Sequence, residues 1–185
     1  MADSTPSLVV VCTANLSRSP MAAALLAAAL GPAAHVSSAG VEATPGRPAA
    51  PDAVRAMADR GLDIVDHRSR PLDPATIAAT DVVLTMTRAH ARDVAVAHAG
   101  SFGRTFTLKE LVRRAGPVGV RAPGRPLADW LDEVGRGRRV ADLVGDDPAD
   151  DVADPYRHPF AAYERTATEL AAAIDAFASL AFPVR

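Results

Sequence analysis

Cys12 and Arg18 frame a five-residue segment, Thr13-Ala14-Asn15-Leu16-Ser17, and their spacing suits phosphate chemistry. Before them runs Leu8-Val9-Val10-Val11, β-branched and without alternation, as expected of a strand buried on both faces. After them Ser19-Pro20 opens an alanine- and leucine-rich helix, with serine as its N-cap and Gly31-Pro32 as its stop. A short loop between strand and helix can turn successive backbone N–H groups onto one anion, and the helix dipole adds to them. Arg18 would close that cradle with a planar fork matched to two phosphate oxygens. Cys12 would lie on its floor, where the same donors stabilise a thiolate. Such a thiolate attacks phosphorus in line, and water then hydrolyses the cysteinyl-phosphate. No metal is required, and no cofactor is expected.

A lone cysteine after a buried strand is commonly core filler, and in an arginine-rich chain the Cys-x5-Arg pair carries little by itself. Its place at a strand–helix junction is what gives it weight. A phosphatase also needs an acid for the leaving oxygen. Asp154-Pro155-Tyr156 is the candidate, against the plainer reading of a turn beside an acidic run.

The rest of the chain repeats the strand–helix alternation. Strands are expected at 35–38, running out at Ala39-Gly40, at 81–86 and at 104–108. Helices are expected at 52–60, 88–98, 109–114 and 161–181. This order implies one α/β domain over 1–185, with a parallel sheet covered on both faces. The stretch at about 115–152 reads as an insertion or mobile loop. It has a short helix near Leu127–Val134 and acidic residues at Asp146, Asp147, Asp150 and Asp151.

Composition narrows the classes. Alanine supplies 40 of the 185 residues, so the 49% hydrophobic content overstates the large apolar side chains. The arginine and alanine excess reads as codon bias; Lys109 is the single lysine. With Lys+Arg at 20 and Asp+Glu at 22, there is no basic excess for nucleic acid. One cysteine allows neither an intrachain disulfide nor an all-cysteine metal site. Apolar runs are too short to cross a bilayer, and Met1-Ala2-Asp3-Ser4 lacks a positive leader region. A soluble, cytoplasmic protein without membrane insertion is the expectation.

Val11 to Pro20, together with Asp154-Pro155-Tyr156, resembles the low-molecular-weight protein tyrosine phosphatases, whose loop reads Cys-x-Gly-Asn-x-Cys-Arg-Ser-Pro. The likeness continues through Ser37-Ser38-Ala39-Gly40, Pro45-Gly46-Arg47-Pro48, His67-Arg68-Ser69-Arg70 and Val83-Leu84-Thr85-Met86. It implies a four-stranded parallel sheet of the flavodoxin-like, phosphotyrosine phosphatase I type, with the loop at the carboxyl end of the first strand. Cys12 would be nucleophile, Arg18 phosphate clamp and Asp154 general acid. Thr13, Ala14, Asn15, Leu16, Ser17 and Ser19 would form the phosphate loop and bind substrate. Asn15 would hold its shape, Ser19 would donate to the thiolate, and Tyr156 would wall the cleft. Ser38 and His67 would support Asn15. His35, His90, His98 and His158 match nothing and are expected in solvent. The partner implied is a phosphotyrosine protein, a bacterial tyrosine kinase or its substrates, acted on by a monomer or weak dimer.

Three departures from the family pattern matter. Ala14 replaces the usual glycine, at a cost of about 1 kcal/mol if that position needs a positive φ. Ser17 replaces a second cysteine, leaving oxidised Cys12 without a resolving thiol. Leu16 is apolar, as in members acting on tyrosine phosphate, whereas threonine there resembles the phosphoarginine enzymes. Leucine can pack on a phenyl ring but cannot hydrogen-bond a guanidino group. Alternatives on the same fold are an arsenate reductase, a phosphoarginine phosphatase or a non-catalytic phosphotyrosine-binding module. The reductase normally relays through two further cysteines that this chain lacks.

Overall fold

The computed structural model describes residues 5–183. Its centre is a parallel sheet of β1 (Ser7–Cys12), β2 (His35–Gly40), β3 (Val82–Thr85) and β4 (Thr105–Thr107), ordered β2-β1-β3-β4. The absence of alternation in β1 has its physical reason here, since both faces are covered. Leu8, Val10 and Cys12 point into the larger core; Val9 and Val11 point into a smaller one with Ile77, Val83 and Val94. The larger face is closed by α1 (Arg18–Leu30), α2 (Pro51–Ala58), α5 (Leu108–Val118), α6 (Leu127–Val134) and α7 (Phe160–Ala181), which supply Met21, Met57, Leu111, Trp130 and Phe177. The smaller face is covered by α3 (Pro74–Ala78) and α4 (Arg88–Ala97). Among the described residues, no helix is long and apolar enough to cross a membrane.

This strand order fixes where the site must lie. The chain leaves β1 for α1 on one face and leaves β3 for α4 on the other, so the loops after these adjacent strands diverge. Open α/β sheets hold ligands in that crevice.

The expected strands and helices are all present, with ends shifted by a few residues. Three differences are instructive. Helix α1 begins at Arg18 with Ser17 as its N-cap, and Ser19 is the second residue inside it. The short α3, capped by the Asp73 side chain on Thr76 N, had no signal beyond Asp-Pro. Helix α5 runs through Gly116-Pro117 to Val118. Within the stretch from 115 to 152, α6 has the expected bounds. Its fully buried Trp130 donates to Gly119 O at 3.1 Å. Arg138 pairs with Glu110 at 2.7 Å and stacks over Phe106, so this stretch is packed onto the β4 edge.

Candidate active site

The loop from Thr13 to Ser17 is held by hydrogen bonds that converge on buried Asn15 from residues outside it. Cys12 ends β1, is 3% exposed, and lies 3.0 Å from Ser19 Oγ. Asn15 Nδ2 donates to Ser19 Oγ at 2.8 Å and to Ser38 Oγ at 2.9 Å. Ser19 Oγ accepts from Asn15, and its own proton has both the sulfur and Ala39 O, at 3.4 Å, within reach. Asn15 Oδ1 accepts from Arg70 N, and Asn15 O meets His67 Nε2 at 2.8 Å. Both expected supports, Ser38 and His67, thus touch Asn15.

Asn15 takes a positive φ of 55°, and Ala14 does not, so the penalty considered for a Cβ at position 14 is absent. Asparagine accommodates that left-handed backbone more readily than most side chains. Gly40 is the residue with no room for a side chain. A Cβ there would meet Thr13 O at 2.5 Å and Asn15 N at 2.9 Å.

Arg18 is 5% exposed and reaches across the crevice. Its Nη2 pairs with Asp154 at 2.7 Å and approaches Thr13 Oγ1 at 3.4 Å, while Nη1 donates to Val152 O at 3.2 Å. Its Nε is buried with no partner among the described residues. An orphaned guanidinium donor is costly unless an anion answers it. Asp154 is half exposed, and its other oxygen accepts from Tyr156 N. Leu16 is 4% exposed. The Ser17 hydroxyl is buried and makes no hydrogen bond of good geometry among the described residues, with Tyr163 as its polar neighbour. Tyr156 stays at the surface beside Arg47 and Arg157, whose hydrogen bonds draw its phenol below the usual tyrosine value.

His90 corrects one expectation. His35 and His158 are exposed and His98 is half buried, but His90 is 5% exposed and bonded at both ring nitrogens. Nε2 meets Thr13 Oγ1 and Nδ1 meets Thr87 Oγ1, each at 2.9 Å. Burial first, then the Arg18 charge, push its pKa down to about 4, against a weaker upward pull from Asp154. The ring is neutral at pH 7, donating from one nitrogen and accepting at the other. Its signal in the sequence was positional: Thr87 caps the helix after β3, which sets His90 one turn in, at the ligand end of the sheet. Gly40 and Arg70 lay within quoted motifs, but only the backbone approach and the bond to Asn15 reveal their roles.

The model of the family described as low molecular weight phosphotyrosine protein phosphatase matches residues 7–126. Over 171 residues the chain is 30% identical to a protein of Ralstonia nicotianae described as "probable low molecular weight protein-tyrosine-phosphatase EpsP", covering 92% of each. It is 31% identical over 171 residues to a protein-arginine-phosphatase of Geobacillus stearothermophilus, covering 92% of this chain and 93% of that one. Among solved structures, the low molecular weight protein tyrosine phosphatase from T. tengcongensis superposes with a TM-score of 0.70 at 31% identity, covering 93% and 97% of the two chains.

Proposed function

Because the chain belongs to the low molecular weight phosphotyrosine protein phosphatase family, we propose that it hydrolyses phosphotyrosine in proteins through a cysteinyl-phosphate on Cys12. The observation that carries the reading is the buried, unanswered Nε of Arg18 at the loop that starts from Cys12. Phosphate oxygens would bind the loop N–H groups and this guanidinium. The Cys12 thiolate attacks phosphorus as the P–O bond to the tyrosine oxygen breaks, and protonated Asp154 gives that oxygen its proton. Asp154, now a carboxylate, takes a proton from water. The water oxygen bonds phosphorus, the P–S bond breaks, and phosphate leaves. Ser19, 3.0 Å from the sulfur, stabilises the thiolate released.

The test is turnover of p-nitrophenyl phosphate with EDTA present. Cys12→Ser should abolish it. On phenyl phosphate, whose oxygen needs the acid more, Asp154→Ala should lose about 10²–10⁴-fold. A folded, reduced wild type without turnover would overturn the reading. Leu16, a residue of the loop itself, is apolar, and this supports tyrosine over arginine phosphate. Leu16→Thr should shift the ratio of phosphotyrosine to phosphoarginine peptide hydrolysis toward arginine, and an unchanged ratio would remove that support.

A further inference from the structure

Four residues before Asp154, a carboxylate is buried between two arginines. Asp150 is 2% exposed; its Oδ2 accepts from Arg88 Nη2 at 2.7 Å and Nε at 3.0 Å, and its Oδ1 from Arg113 Nη2 at 2.8 Å. Arg88 also pairs with Asp147 at 2.8 Å, and its backbone N–H donates to Asp151 Oδ1 at 2.7 Å. Lys109 Nζ holds Asp151 O at 3.0 Å. Next in the chain, Val152 N donates to Met86 O at 2.8 Å, while Val152 O accepts from Arg18. The acidic run is therefore docked on the first residue of α4 and on α5, and its last docked residue shares Arg18 with Asp154.

We infer that the Arg88–Asp150–Arg113 cluster is a positioning device for the general acid. It fixes the start of the Asp154 loop against the sheet so that the carboxyl meets the leaving oxygen. This rests on the phosphatase reading above, and it makes a prediction that a merely structural role does not. A misplaced acid slows departure of a poor leaving group and matters little for a good one. The readout is kcat/KM, which covers steps through departure of the alcohol, for phenyl phosphate and for p-nitrophenyl phosphate. Inhibition by inorganic phosphate monitors the cradle. For Asp150→Asn, phenyl phosphate should lose about 10- to 100-fold. The p-nitrophenyl ester should lose several-fold at most, with phosphate inhibition unchanged. Arg113→Ala, on the solvent side of the cluster, should show the same selectivity at smaller amplitude, and it decides the matter if Asp150→Asn does not fold. Equal losses on both esters, or no loss, would overturn the inference while leaving the phosphatase reading intact. An inactive wild type would remove both.

Discussion

The phosphate loop and the acid loop meet at Arg18, yet they are built by opposite means. The phosphate loop is short, follows a buried strand, and is fixed by hydrogen bonds from α1, β2 and the 67–70 segment that converge on Asn15. The acid loop arrives 136 residues after Arg18's end of that structure, with Asp154 half exposed and its anchorage supplied by ion pairs upstream. Neutral bonds in a buried loop are directional and indifferent to salt. The ion pairs centre on a buried carboxylate, and only the outer one, through half-exposed Arg113, is open to screening by salt. The contrast matches the tasks assigned to them: a cradle must fit one tetrahedral anion, whereas an acid must follow an oxygen that departs.

The comparison can be broken at its rigid side first. Gly40→Ala drives a Cβ into Thr13 O and Asn15 N, both backbone atoms that cannot turn aside. Activity should fall about 10²-fold and by equal factors for good and poor leaving groups, unlike the acid-loop variants. A selective loss on phenyl phosphate would show that the loops are not independent.

His90 sharpens the comparison at equilibrium. Its folded pKa of about 4 lies below the ordinary 6.5, so the unfolded chain binds the proton first as pH drops. The stability it contributes is complete above about pH 6.5 and is lost as pH falls to about 4, by about 3 kcal/mol in all. Chemical denaturation across that window should show the slope, and His90→Asn should flatten it. A slope unchanged in that variant would assign the acid sensitivity elsewhere.

The smallest expected effect concerns oxidation. With Ser17 at the position where many family members carry a second cysteine, peroxide should inactivate the enzyme in part irreversibly. Added phosphate should slow that loss. Complete recovery with thiol after strong peroxide would contradict it.

How much of this was legible in the residues follows the same division. β1, the loop and α1 are contiguous, so pattern and spacing alone place Cys12, Arg18 and the helix start within a residue or two. Asp154 could be singled out only by its Pro-Tyr neighbours, because its approach to Arg18 depends on the whole sheet closing between them. His90 was misread for a related reason. A histidine on an alanine-rich helix carries no mark of burial until Thr13 and Thr87 close on it. The acidic run read as part of an insertion or mobile loop, since the arginines that neutralise Asp150 come from two helices elsewhere in the chain. α6 was found because Leu127, Trp130, Leu131 and Val134 keep helical spacing whatever they pack against.

The 2.7 Å pair between Arg18 and Asp154 has one more consequence. The arginine carries its own counter-ion, so an arriving phosphate would exchange one negative partner for another instead of meeting a bare cation. Weakly charged anions gain little from that exchange, and a dianion gains most. On the proposed mechanism the exchange also has timing built in. Occupancy frees the carboxylate from the arginine, and departure of phosphate returns it. The acid would then be armed by the substrate it serves and disarmed when the site empties.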